Sequence, residues 1–124
     1  TDAGNLANYY AGVAYLNTGK YAEAIEYLGK FKSEDMVLSA MAKGAIGDAY
    51  SQKNQPKEAL ENYLKEAESN TNDFTTPRFL LKTGKTCLSL GNKVEALKYF
   101  TDIKDNFEAS PEAATIDGLI GLAQ

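Results

Sequence analysis

Gly84, Lys85 and Thr86 stand in the order that ends a phosphate-binding loop, in which glycine-rich backbone N–H groups wrap phosphate oxygens and a lysine reaches the outer ones. That loop also needs a glycine at position 79, and Phe79 stands there. It should follow a hydrophobic strand. Thr76-Pro77 precedes it instead, a hydroxyl and a proline that read as the cap and first residue of a helix. From Pro77 onward Phe79, Leu80, Thr83, Gly84, Cys87 and Leu88 recur at three- and four-residue spacing, one face of a helix. The triplet therefore reads as part of a helix and not as a nucleotide site.

Other reactive groups are equally poorly placed for catalysis. The chain has no histidine, which removes the commonest general base and zinc ligand. Its one cysteine, Cys87, falls on the apolar stripe and reads as a buried small hydrophobe. Glu23, Glu26, Glu58, Glu61 and Glu95 fall opposite the apolar stripes and read as a solvated face. Glu34-Asp35 follows Ser33 at a helix start, where the helix dipole favours negative charge. Thr1 could act as an N-terminal nucleophile only with an activating neighbour, and the sequence supplies none. No catalytic residue, cofactor or metal site is expected.

The elements that would position any site come next. A chain of 124 residues fits one domain and is long enough for a core. A net charge of −4 is poorly matched to phosphate backbones, so nucleic acid is not an expected partner. No apolar run reaches membrane-spanning length, so no membrane contact by this segment is expected. No signal peptide is legible and the chain begins on threonine, which leaves an upstream segment and the cellular location open.

The chain repeats itself. Gly12, Gly47 and Gly84 recur at intervals of 35 and 37 residues. At matching offsets follow Tyr15, Tyr50 and Cys87, then Gly19, Asn54 and Gly91, then Ala24, Ala59 and Ala96, then Leu28, Tyr63 and Phe100. Periodicity of this length signals stacked supersecondary units. Each unit reads as two helices. Gly19, Asn54 and Gly91 suit the left-handed residue that ends a first helix. A glycine inside a helix costs roughly 1 kcal/mol against alanine. Three such glycines at equivalent positions imply close approach of the second helix, with the alanine facing it. The spacing predicts helices over 3–17, 21–32, 35–52, 56–70, 77–90, 93–107 and 111–123. Asn92 with Glu95 reads as a capping box, and Ser110-Pro111 as the start of the last helix. The polar stretch 70–76 is the longest connection. The tyrosines read mostly as repeat-packing residues.

On these residues the chain resembles the tetratricopeptide repeat (TPR) family. The matches are Ala11-Gly12, Tyr15, Gly19, Tyr21, Ala24 and Leu28, then Ile46-Gly47, Tyr50, Asn54, Ala59 and Tyr63, with Thr83-Gly84, Cys87, Gly91, Ala96 and Phe100 as a weaker third copy. The opening tryptophan of the family pattern is replaced by Asn8, Lys43 and Leu80. Pro56 and Lys93 replace the aromatic that the first copy has at Tyr21. The resemblance implies an all-α, right-handed superhelix of antiparallel helix pairs. One domain, 1–124, would hold repeats at about 5–34, 39–70 and 77–109, and residues 111–123 would form a capping helix or, alternatively, the first half of a fourth repeat.

It further implies a concave groove lined by the first helices. The first repeat would contribute Leu6, Tyr9, Val13 and Asn17. The second would contribute Gly44, Asp48, Ser51 and Gln52, and the third Arg78, Leu81, Lys82, Lys85 and Ser89. Such a groove is apolar at one end and basic at the other. Some family members clamp a peptide's terminal carboxylate, and Arg78 and Lys82 match the third-repeat basic positions of that clamp. Tyr9, Val13 and Ala45 stand where its other polar groups would be, so a full clamp is not expected. The expected function is a non-enzymatic module that binds a protein or peptide segment and scaffolds a complex. The alternative is a structural module that self-associates through its terminal helices. The chain is also similar to bacterial envelope TPR proteins, in which the repeats follow a membrane anchor, so its expected home is either cytoplasmic or extracytoplasmic and tethered.

Overall fold

The computed structural model describes residues 2–124. Among them the chain forms α1 (Asp2–Asn17), α2 (Tyr21–Lys30), α3 (Met36–Gln52), α4 (Pro56–Ser69), α5 (Thr76–Ser89), α6 (Lys93–Asn106) and α7 (Ile116–Ala123), with no strand. Contacts divide these elements into two compact units that meet within α4, between Asn62 and Tyr63.

The first turn of each repeat is built the same way. Gly19, Asn54 and Gly91 have φ of +80°, +62° and +81°, the left-handed conformation anticipated from their types. Around them the N–H groups of Lys20, Gln55 and Asn92 donate to the carbonyls of Tyr15, Tyr50 and Cys87 at 2.8, 2.9 and 2.9 Å. Those of Gly19, Asn54 and Gly91 donate to Leu16, Ser51 and Leu88. This is the Schellman arrangement, which satisfies two otherwise orphaned helix carbonyls. The carbonyls of Lys20, Gln55 and Asn92 then accept from Ala24, Ala59 and Ala96, opening the next helix. All three alanines are fully buried.

In the first unit α1 packs on α2 and α2 on α3. Ala24, Leu28, Phe31, Ala42 and Ala49 form the core, flanked by Tyr9, Val13, Tyr15, Leu16 and Ile25. In the second unit α5 packs on α6, and α6 on α7. Its buried residues include Phe79, Leu80, Cys87, Ala96, Phe100, Ile103 and Ile116. The glycine contact is more specific than the sequence implied. A Cβ on Gly12 would lie 2.5 Å from Leu28 Cγ, and one on Gly84 would lie 2.4 Å from Phe100 Cε1. The group meeting each glycine is thus the large residue at the end of the repeat pattern. The alanine is buried nearby but is not the nearest neighbour.

Two helix starts differ from expectation. The cap of α5 is Thr75, with Thr76 as its first residue. Asn72 causes the shift: its Oδ1 accepts from the N–H groups of Phe74 and Thr75, and its own N–H donates to Thr76 Oγ1 at 2.9 Å. Both threonine hydroxyls are thereby held in the connection, and Thr75 makes no side-chain cap. The stretch from Pro111 is not one helix. Pro111–Thr115 is a 3₁₀ turn and α7 begins at Ile116. The Ser110 hydroxyl donates back to Phe107 O at 2.7 Å, so it does not cap the following turn, and Ala113 N–H bonds Ser110 O in the tighter i−3 pattern. Asp35 caps its helix as expected, whereas of the Asn92–Glu95 capping box only the Asn92 half forms, because the Asn92 N–H is taken by Cys87 O. Asp35 accepts from Val37 and Leu38 N–H at 2.9 Å, and Asn92 accepts from Glu95 N–H at 3.3 Å.

Thr83, on α5, is completely buried, and its Oγ1 has no hydrogen-bond partner among the described residues. A buried hydroxyl without a partner retains its desolvation penalty. Thr83→Val keeps the shape and removes the oxygen, so it is expected to raise stability by roughly 1 kcal/mol. Urea unfolding followed by circular dichroism measures this; a fall in midpoint would contradict it.

Candidate interaction faces

Gly84-Lys85-Thr86 lies in the body of α5. Backbone N–H groups there serve the helix ladder and cannot cradle phosphate. The Thr86 hydroxyl donates to Lys82 O at 2.8 Å, also within the helix. Cys87 is buried, and burial first and Glu95 second push its thiol above the usual range, the reverse of an activated nucleophile. Among the described residues no three His, Cys, Asp or Glu side chains are grouped to hold a metal. No described helix is long and apolar enough to cross a membrane. Thr1 lies outside the described residues.

What remains is the surface of the first helix of each pair. In the first unit Leu6 is exposed on α1 and Met41 on α3, two helices that touch. Tyr9 is half-buried, its ring 5.1 Å from Phe31 and 5.8 Å from Tyr10. Tyr9 and Val13 therefore serve the core as well as the face. Tyr10 is an exception to the reading of the tyrosines as packing residues, since it is 63% exposed. Asn17, Ser51 and Gln52 are exposed and Asp48 is half-buried. Gly44 is buried, which takes it off the surface. Met41 was not anticipated; its signal was an apolar residue on the polar side of a helix whose apolar residues run nearly all round.

In the second unit Arg78, Lys85 and Ser89 are exposed on α5. Ser89 Oγ donates to Thr86 O at 2.8 Å. Lys82 is half-buried, with its ammonium 5.4 Å from the centre of the Tyr63 ring. Its cation is thus engaged on an aromatic face, and the basic surface rests on Arg78 and Lys85. No carboxylate stands anywhere on α5.

The same turn and the same buried alanine recur three times along the chain, the glycine contact is shared by Gly12 and Gly84, and sequence profiles of the tetratricopeptide repeat match residues 6–35 and 45–114. The chain belongs to the tetratricopeptide repeat family. No curated protein matches it. TPR domains as a class mediate protein–protein interaction, and they are typically non-enzymatic.

Two contacts outside the TPR signature position these faces. Lys32 N–H donates to Asn5 Oδ1 at 2.8 Å, and Asn5 Nδ2 donates back to Lys32 O. The asparagine pairs with the backbone as another peptide group would, and holds the α2–α3 connection against α1. In the second unit Lys104 Nζ lies 2.9 Å from Asp117, joining α6 to α7. Both side chains are largely exposed, so the pair orients the helix more than it stabilises it.

Proposed function

We propose that this TPR chain is a non-enzymatic scaffold that binds an extended segment of another protein on its first-helix faces. The observation that carries the reading is α5, where Arg78 and Lys85 are exposed on a helix without a carboxylate. A chain with net charge −4 keeps one face basic, which favours an acidic segment or a terminal carboxylate there. In the first unit, the face carrying Leu6, Tyr9 and Met41 offers an apolar contact of its own. Residues 1–124 act in this reading as one repeat array. Arg78→Glu with Lys85→Glu is expected to weaken binding of a fluorescently labelled, glutamate-rich peptide roughly tenfold. Anisotropy at two salt concentrations measures it, and unchanged affinity would sink the proposal.

A second reading, self-association in a membrane-tethered protein, draws support from exposed Leu122 on α7 and Tyr10 on α1. Mass that rises with protein concentration would favour it over the peptide-binding reading.

A further inference from the structure

The second unit carries another concave feature, on the far side of α5 from Arg78 and Lys85. Successive helix residues turn by roughly 100°, so Thr76 and Leu80 point almost opposite to that basic pair. Between the end of α4, this side of α5 and the outer part of α6 lies an open cleft of about 670 Å³. Its apolar lining includes Leu64, Leu80 and Phe107. Around these stand three carboxylates, Glu68, Asp102 and Asp105, against one ammonium, Lys98.

The charges are only partly offset within the unit, where Asp105 is close enough to the Lys104 ammonium to interact with it. Asp102 accepts from Asn106 Nδ2 at 2.7 Å, a neutral donor that orients the carboxylate and leaves its charge. The Lys98 ammonium lies 5.5 Å from the centre of the Tyr99 ring. Glu68 and Asp105 are exposed. The Tyr99 phenol, also lining the cleft, is held above its usual range by burial first, then by Glu95, Cys87 and Glu68.

The geometry points to a second docking surface here, for a lysine- or arginine-bearing protein segment that places one apolar side chain against Leu64, Leu80 and Phe107 and its cations against Glu68, Asp102 and Asp105. Charge complementarity selects the occupant: apolar area alone would accept any hydrophobic segment, whereas this rim repels acidic ones. The cleft's volume falls within the range of roughly 300–1,000 Å³ usual for ligand sites. The surface is independent of the basic face of α5 and prefers the opposite charge, so one TPR chain could hold two different segments at once.

The test uses the full chain and two labelled peptides, one with a leucine flanked by lysines and one with the lysines replaced by glutamates. A photoreactive leucine analogue occupies the central position in both. The lysine peptide is expected to bind and to crosslink within 98–107. Glu68→Lys with Asp105→Lys, both at exposed positions, should weaken it roughly tenfold. Arg78→Glu with Lys85→Glu should leave it unchanged. An unaltered circular dichroism melt verifies that each variant folds, and Asp102→Asn, the mildest change, should give a smaller loss in the same direction. Equal binding of both peptides, binding of neither, or crosslinks confined to the Arg78 side of α5 would each overturn the proposal. So would a concentration-dependent mass abolished by Glu68→Lys with Asp105→Lys, which would show that a second copy occupies the cleft.

Discussion

Phe100→Ala is expected to lower stability by about 4 kcal/mol. Phe100 is fully buried and its ring lies against Gly84. Removing it takes away most of the side chain's burial energy and opens a cavity that the adjoining glycine cannot fill. Total stability for a chain of this length is on the order of 10 kcal/mol, so the loss is a large fraction of the whole. Urea unfolding by circular dichroism gives the magnitude. Hydrogen exchange gives the location, since repeat proteins can lose one unit before another. Amides of α5 and α6 should lose protection first. A loss below about 1 kcal/mol would mean that the ring is not packed as described.

Gly84→Ala should cost about 2 kcal/mol, although alanine is the better helix former by roughly 1 kcal/mol. The added methyl would meet Phe100 Cε1 at 2.4 Å and Cδ1 at 2.8 Å. The ring is enclosed and cannot swing away, so the helices must separate. Gly12→Ala meets Leu28 in the same way, and there the Leu28 backbone nitrogen, at 3.1 Å, cannot rotate aside. Gly29, on α2, is the control. A Cβ there meets nothing within 4 Å, so Gly29→Ala should stabilise by roughly 0.5–1 kcal/mol. The same substitution with opposite signs at two helical glycines separates contact from propensity. A smaller residue at position 100 should relieve the strain of Gly84→Ala, and a double-mutant cycle with Phe100→Leu would read that coupling. Similar effects at Gly84 and Gly29 would contradict the close-approach account.

The repeat was legible because its physics is local. A left-handed residue must end each first helix, and Gly19, Asn54 and Gly91 are types that tolerate it. An alanine must occupy the tight first turn of the second helix, and Ala24, Ala59 and Ala96 recur there. These demands act within a few residues, so they leave a periodic trace. The departures came from side chains that choose between local partners. Asn72 draws Thr76 into the preceding connection, and Ser110 turns back to Phe107, although either sequence could have capped the next helix as expected.

The faces were only partly legible. Arg78 and Lys85 lie outward as helical phase required, but phase alone could not show that Lys82 would lie over Tyr63, nor that Gly44 would be buried. The acidic cleft left no motif at all, because Glu68 and Asp102 come from different helices and each reads singly as a solvated carboxylate. What the amino-acid sequence by itself determined was the helix pair and its recurrence, since backbone conformation, capping and helical phase depend on near neighbours. Only the tertiary structure decided which large side chain meets each glycine, which cations are engaged on rings, and where carboxylates from separate helices gather. Those depend on distances between residues far apart in the chain, which periodicity does not encode.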